Sequence, residues 1–322
     1  MSSPAAHFEP YRRRLLGLAY RMLGSMADAE DAVQETYLRW HRTDRDRVSD
    51  SRAFLMTTTT RICLDVLTSA RVRREDYVGP WLPEPIVDTA ALAPDRQTEL
   101  AEDLSIALLL TLDRLSPLER AAFLLHDVFE FSFSEVARAL GRSEAACRQL
   151  ASRARAHVRA ARPRGATTPA THPGEIAVKH AQLVSSFVAA AQSGDLNALT
   201  QLLARDLRVV TDGGGKVGAV LGVIDGADRL TRFLVGAARK RTGVLWREDL
   251  AMRFTTINGL PGVIVDGREG PVLTAAFEID GDVIRALYVV RNPDKLRHLV
   301  ALSGPHATAD HQDGTADDDQ TG

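Results

Sequence analysis

Seven arginines and a single acid, Glu144, fall between Gly141 and Arg164 of this 322-residue chain. Guanidinium groups at that density suit phosphate contacts, whose affinity comes largely from counterion release. Arg148 and Gln149 add side chains that can make paired hydrogen bonds to guanine and adenine edges. Cys147, Leu150, Ala151, Ala154 and Val158 recur at helical spacing on one stripe, which leaves Arg148, Ser152, Arg155, Arg159 and Arg162 on another. A solvated basic helix capping some other all-helical domain has the same pattern, and the motif favours DNA binding over it.

The elements that must position these side chains are announced by capping chemistry. Ser116 stands three residues before Glu119 with Pro117 between them, and Ser132 stands three before Glu135. Both are capping boxes. The second of these helices is short and ends at Gly141, and a third opens at Ser143. That is a helix-turn-helix layout, with Arg148 and Gln149 near the end that enters a major groove.

Upstream, residues 8–24 give a helix with Leu15, Leu18, Ala19 and Met22 on one face, closed by Gly24. The next helix turns Ala29, Val33, Thr36, Tyr37 and Trp40 inward and exposes Asp28, Glu30, Asp31, Gln34 and Glu35. Early acids complement a helix dipole, and they equally suit a protein partner with a basic surface. After the polar loop Thr43–Ser51, a helix from about Arg52 to Arg74 carries four consecutive threonines. Threonine is a mediocre helix former, so the run needs tertiary support. Its hydroxyls either pack between helices or, beside Arg52, Arg61, Arg71, Arg73 and Arg74, line a groove for a nucleic-acid strand.

Three prolines in six residues force the segment Tyr77–Asp88 into an extended path, yet Trp81, Leu82 and Ile86 within it are apolar. An exposed tryptophan in a rigid segment usually has a pocket to enter. A Pro/Thr/Gly linker spans 163–174, and an amphipathic helix follows over 175–193. Beyond it, the runs Val244–Phe254, Val263–Val265, Val272–Ile279 and Val283–Val290 are separated by Asn258-Gly259, Asp266-Gly267 and Asp280-Gly281. Asx-Gly pairs between such runs predict hairpins, hence an antiparallel curved sheet with helices on one side.

The whole chain has the apolar and charged fractions of a soluble globular protein, 45% and 25%, and room for two ordinary domains. Its net charge of −2 conceals segregation, because residues 1–165 hold twenty-four arginines and no lysine. Only Cys63 and Cys147 occur, without metal-ligand spacing, so neither a structural metal nor a disulfide framework is expected. No targeting or membrane-spanning stretch is legible, and a cytoplasmic protein is expected. Residues 304–322 are small, polar and acidic and read as a disordered tail.

Taken together, the strings D-A-E-D-A-V-Q-E-T-Y, R-A-F-L-M-T-T-T-T-R-I-C-L-D and L-S-P-L-E-R with G-R-S-E-A-A-C-R-Q-L-A-S-R-A-R resemble the two domains of extracytoplasmic-function sigma factors of bacterial RNA polymerase, over about residues 8–160. The resemblance implies that Asp28, Glu30, Asp31, Gln34, Glu35 and Leu38 dock on the polymerase clamp. It implies that the Thr43–Ser51 loop with Arg52, Thr58, Arg61 and Asp65 holds the melted minus-10 strand. Arg142, Ser143, Glu144, Arg148, Gln149, Ser152 and Arg153 would read the duplex minus-35 element. Many members carry Asn where Arg61 stands, which implies a different minus-10 preference.

The W-L-P-E-P string, Trp81, Leu82, Pro83, Glu84 and Pro85, resembles a signature of one subgroup with a C-terminal extension, as do Asp212-Gly213-Gly214-Gly215-Lys216 and Asn292-Pro293-Asp294-Lys295-Leu296. The extension resembles the SnoaL-like group of the NTF2-like α+β cone fold. The expected organisation is therefore multidomain: two all-α sigma domains, 1–76 and the helix-turn-helix 99–162, joined by the extended linker 77–98. Linker 163–174, a SnoaL-like regulatory domain 175–303 and the tail complete it. In this reading Trp81–Pro85 lies against Asp212–Lys216, with Asn292, Asp294 and Lys295 nearby, and the C-terminal domain tunes the placement of the two DNA-binding domains.

Core polymerase and promoter DNA are the expected partners, with no cofactor. A small molecule in the C-terminal cone is a further expectation, since cone-fold domains often enclose a cavity. Asp212, Asp249 and His180 are the candidate acid/base groups if that domain were an isomerase or cyclase, but no pair has catalytic-dyad spacing, and an enzyme is not expected. Two other readings stay open. A stand-alone helix-turn-helix regulator would bind an operator without polymerase, and an enzyme fused to a DNA-binding module would turn over a hydrophobic substrate.

Overall fold

The computed structural model describes residues 4–75, 77–87, 105–161, 173–217 and 223–302. Helices α1 (Pro4–Leu23), α2 (Met26–Arg42) and α3 (Ser51–Glu75) bury Leu15, Leu18, Met22, Trp40, Leu55 and Met56 against one another. α1 stops at Gly24, whose φ of +70° ends the helix, and the Ser25 side chain caps α2 by accepting from the Asp28 amide at 3.2 Å. Helices α4 (Ile106–Asp113), α5 (Pro117–Phe123), α6 (Phe133–Leu140) and α7 (Glu144–Ala161) form the second helical unit, with a π turn at Leu124–Val128 after α5. Both capping boxes close, and Gly141 ends α6 in the left-handed region.

One hydrophobic core runs without a break from Phe8 through Ala154, so the two helical units are packed on each other. Arg120, 4% exposed, lies across their junction. It donates to Leu112 O at 2.7 Å, to Met22 O at 2.5 Å and to Asp113 Oδ1 at 3.1 Å.

The C-terminal unit comprises α8 (Pro173–Ser193), α9 (Leu196–Leu202), β1 (Leu203–Asp212), β2 (Val223–Asp225), α10 (Ala227–Lys240), β3 (Ala251–Ile257), β4 (Leu260–Gly267), β5 (Gly270–Asp280) and β6 (Val283–Val290). α8 takes in Pro173 and Gly174, which the sequence placed in the linker; proline is tolerated in a first helical turn. The sheet order is β2-β1-β6-β5-β4-β3. It is mixed and not wholly antiparallel, because the β3–β6 meander returns β6 alongside β1 in parallel register.

Two turn assignments also shift. Asn258-Gly259 forms the expected two-residue turn, with φ of +49° and +75°. However, Asp266 and Gly267 remain inside the β4–β5 ladder and the turn falls on Arg268-Glu269, while Gly281-Asp282 turns between β5 and β6. Asp266 is drawn into the strand by Arg253, which grips its buried carboxylate with two hydrogen bonds. The run expected from Val244 to Phe254 is split: Val244–Trp246 is a 3-10 turn, and a paired Arg247 and Asp249 precede β3.

The sheet is buried on both faces. Val209, Val263, Val265, Ala275, Phe277 and Leu287 face α8–α10. The alternate residues Val210, Ile264, Ala276, Ala286, Tyr288 and Val290 pack instead around Leu82 of the 77–87 segment and Ile106 of α4. The expected linker beyond residue 87, the rest of the 163–174 linker and the acidic tail lie outside the described residues.

Candidate nucleic-acid interface and linker clamp

All seven residues expected to read duplex DNA, Arg142, Ser143, Glu144, Arg148, Gln149, Ser152 and Arg153, are exposed on one face of α7 and the turn before it. The opposite stripe, Cys147, Leu150, Ala151 and Ala154, is buried. Ser143 caps α7 by accepting from the Ala146 amide at 3.2 Å. Arg148 lies over the Phe133 ring and pairs with Glu144 at 2.7 Å, while Arg153 pairs with Glu119 at 2.8 Å. The Arg148–Glu144 pair is exposed at both ends and contributes little stability.

The threonine run divides between its two readings. Thr59 and Thr60 are fully buried, and Thr59 shares a 3.0 Å hydroxyl contact with Thr36 of α2. Thr57 and Thr58 instead line a cleft of about 630 Å³ with Asp44, Asp50, Phe54 and Arg61. The far wall of that cleft belongs to the second helical unit, through Phe131, Glu135 and Arg138. Arg61 donates to Ala139 O at 3.0 Å and to Arg138 O at 2.9 Å, at the C-terminal end of α6 where helix carbonyls are left unpaired. Arg52 donates to Phe129 O at 2.7 Å and lies over the Phe131 ring. Asp65 is exposed farther along α3. The side chains of Arg71, Arg73 and Arg74 lie outside the described residues.

On α2, Glu30, Asp31, Gln34 and Leu38 are exposed, and Asp28 and Glu35 are half-buried, so the acidic face is open. Leu38 is 39% exposed amid these polar groups, which a helix dipole does not explain.

The 77–87 segment is clamped between α1–α2 and the sheet. Asp212, at 0% exposure, accepts from Tyr77 Oη at 2.5 Å and the Gly214 amide through one oxygen, and from the Leu82 amide at 2.8 Å and Lys295 Nζ at 2.7 Å through the other. Lys295 also donates to Leu82 O and stands over the Tyr77 and Trp81 rings. Asn292 donates to Tyr77 Oη at 2.9 Å. Lys216 pairs with Asp294 and holds its carboxyl below the usual carboxylate range.

Glycine is required where this clamp is tightest. A Cβ on Gly214 would stand 2.3 Å from Asn292 Nδ2, one on Gly215 2.9 Å from Val78, and one on Gly24 2.4 Å from the Trp81 ring, all at positive φ. Glu84 bridges to the helices: its amide donates to Gly24 O, and its carboxylate accepts from the Met26 amide at 2.7 Å, at the N-terminus of α2. Pro85 O accepts from His298 Nε2. Pro83 is buried beside Leu82, and Gly213 is buried next to Asp212.

Residues that the sequence reading passed over complete the clamp. The Asn258 side chain accepts from the Ile86 amide at 3.0 Å and donates to Tyr20 Oη, which in turn donates to Glu84 O at 2.7 Å. Asn258 was legible only as a turn residue; its second role comes from partners hundreds of positions away.

Of the candidate acid/base groups, Asp212 serves the clamp, Asp249 pairs with Arg247 in an exposed turn, and His180 lies on α8. The structure does not bring them together, and none lines the cavity on the helix-covered side of the sheet. Among the described residues no cluster of His, Cys, Asp or Glu is arranged to hold a metal ion, and no helix is long and apolar enough to cross a membrane.

Residues 7–73 match the family Sigma-70 region 2, and residues 105–158 match Sigma-70, region 4. The chain is 40% identical over 296 residues to the ECF RNA polymerase sigma factor SigJ of Mycobacterium tuberculosis, covering 90% of this chain and 92% of that protein. It is 30% identical over 303 residues to the probable ECF RNA polymerase sigma factor SigI of the same species, covering 93% and 97%. A crystal structure of Mycobacterium tuberculosis SigJ matches with a TM-score of 0.68 and 36% identity, over 90% of this chain and 97% of that one. Because the likeness runs through both helical units and on across the clamp and the sheet, the chain belongs as a whole to the ECF RNA polymerase sigma factors.

Proposed function

We propose that this sigma factor rests in a closed form, kept closed in cis by its C-terminal α+β unit, and initiates promoter-specific transcription when core polymerase opens it. In this reading residues 1–76 handle polymerase and the minus-10 strand, 99–162 the minus-35 duplex, and 175–303 regulation. The α2 face from Asp28 to Leu38 docks on the polymerase clamp. The cleft bounded by the 43–51 loop, Arg52, Thr58, Arg61 and Asp65 receives an unstacked base, a few-kcal/mol cost that stacking and phosphate contacts offset. The exposed face of α7 reads the minus-35 edge. Such a factor acts by binding and works where the polymerase is, in the cytoplasm.

The observation that carries the closed resting form is the pair of hydrogen bonds from Arg61 to the end of α6. Elements centred on positions −10 and −35 lie about 85 Å apart on B-DNA at ~3.4 Å per base pair. Two units whose DNA-handling elements touch cannot occupy both. Opening must separate α3 from α6, and the clamp on residues 77–87 opposes it by restricting the chain that leads into α4. A small molecule in the C-terminal unit is the proposed input, supported by a cavity of about 200 Å³ on the helix-covered face of the sheet.

Band shifts on promoter DNA, with and without core polymerase, test the reading alongside in-vitro transcription. Specific binding is expected only with polymerase, and Trp81→Ala is expected to change transcript yield without abolishing it. Tight, specific binding by the free chain would instead establish a stand-alone regulator.

A further inference from the structure

We propose that the C-terminal cavity binds a small apolar carboxylic acid, its carboxylate held at Arg291 and Thr211, and that occupancy reaches the 77–87 segment through the paired ends of β1 and β6. The site belongs to this chain alone; only its link to transcription rests on the closed resting form proposed above.

The cavity's chemistry sets the ligand class. Its wall is aliphatic and aromatic, with Phe187, Val209, Val265, Phe277 and Leu287 around it. No carboxylate lines it, and Arg291 is its one charged lining residue among those described. An acid is therefore the complementary ligand, since a guanidinium takes a carboxylate through two parallel hydrogen bonds. Arg291 is half-buried, and burial lowers its pKa, which marks surroundings of low polarity where such a pairing is stronger than at the surface. The volume of about 200 Å³ lies below the roughly 300–1,000 Å³ of sites for drug-sized molecules, so the acid has one or two rings or a short chain.

Phe233 on α10, 50% exposed, lines the cavity together with the Val244–Trp246 turn. That turn follows Gly243 at φ +100° and is tied to α8 by reciprocal bonds, Trp246 Nε1 to Gln192 O and Gln192 Nε2 to Leu245 O.

Coupling follows from strand alternation. β1 and β6 are in parallel register with Thr211 opposite Val289 and Asp212 opposite Val290. Thr211 lines the cavity, and its neighbour Asp212 holds Tyr77, Leu82 and Lys295 on the other face. Arg291 lines the cavity, and its neighbour Asn292 holds Tyr77. The amides of Arg291 and Asn292 both donate to Asp212 O, at 2.7 and 3.1 Å. A carboxylate that repositions Arg291 by even a few tenths of an ångström therefore acts on the carbonyl of the residue that clamps the linker.

Full-length protein titrated calorimetrically with benzoate, octanoate and 2-naphthoate, and with naphthalene-2-carboxamide as the uncharged counterpart, tests the site. At least one acid is expected to bind with a dissociation constant below about 1 mM, and the amide about tenfold or more weaker than 2-naphthoate. Arg291→Gln should erase that preference and Arg291→Lys retain it, with unchanged melting temperatures showing that both variants fold. No binding by any acid, or an acid preference that survives in Arg291→Gln, overturns the site. Hydrogen exchange at the Leu82 amide then tests coupling: the bound acid should change its rate while distant α7 amides are unaffected. Binding with unchanged Leu82 exchange overturns the coupling, and neither readout requires the Arg61 contact between α3 and α6.

Discussion

The carboxylate of Asp212 and the ammonium of Lys295 are both withdrawn from water, at 0% and 9% side-chain exposure, and each is surrounded by further polar partners. Removing one member of such a pair leaves the other charge buried and uncompensated. Asp212→Asn should therefore destabilise the clamped state by about 3 kcal/mol, read as a lower unfolding midpoint and faster proteolysis within residues 77–87. Gly214→Ala should act in the same direction, because its Cβ would stand on Asn292 at a φ of +58°. A variant that melts like the parent would show that the linker is held by something else. Asp212–Lys216 stood out in the sequence because its glycines suit close backbone approach, and both it and Asn292–Lys295 because they resemble motifs of one sigma-factor subgroup. Tyr20, Tyr77 and Asn258 did not. An aromatic in a helix and a turn asparagine look ordinary until a fold brings positions 20 and 258 within hydrogen-bonding distance.

Among the elements, the starts of α5 and α6, the stop of α6 at Gly141 and the buried stripe of α7 were legible, since capping boxes, a glycine stop and a 3.6-residue stripe are local signals that tertiary packing did not override. The contact of α3 with α6 was not, because arginines suited to phosphate are equally suited to helix-end carbonyls. Arg61 and Arg52 thus have two sets of partners, one in the free chain and one expected on DNA. Arg61→Ala should shift the free factor toward an open form, measured as increased fluorescence-transfer distance between labels on α2 and α7, while weakening minus-10 capture in transcription assays. Arg148→Ala or Gln149→Ala should leave that distance unchanged, because both are exposed and the contacts of Arg148, with Glu144 and Phe133, stay within the second helical unit. Each should instead relax minus-35 sequence preference, by about 1–3 kcal/mol of base discrimination. Loss of affinity that is uniform across minus-35 sequences would reassign both to phosphate contact.

At the scale of the whole molecule, the sheet separates two environments, an apolar cavity under its helices and the clamped linker on its other face, and both end at the same strand termini. The mixed topology matters here: parallel pairing of β1 with β6 places the ends of both strands together, which the hairpin signals in the sequence could not reveal. Two phenols hold the linker side, Tyr20 through Glu84 O and Tyr77 through Asp212. Burial, and for Tyr77 also the hydrogen bond to Asp212, raises both well above the ordinary tyrosine pKa of about 10. A group whose pKa is higher in the docked state favours docking while it stays protonated. Its contribution is therefore complete below pH ~10 and declines as pH rises toward the docked value. Labels at Arg12 and Asp228, both exposed, one on α1 and one on α10, should report separation of the C-terminal unit from the helices only above that pH. In Tyr77→Phe the alkaline release should become shallower, and absorbance at 295 nm should lose one late-ionising tyrosine. If Tyr77 instead ionises near the ordinary tyrosine pKa of about 10 while the labels stay close, the phenol is not part of what holds the linker, and Asp212 and Lys295 carry the clamp without it.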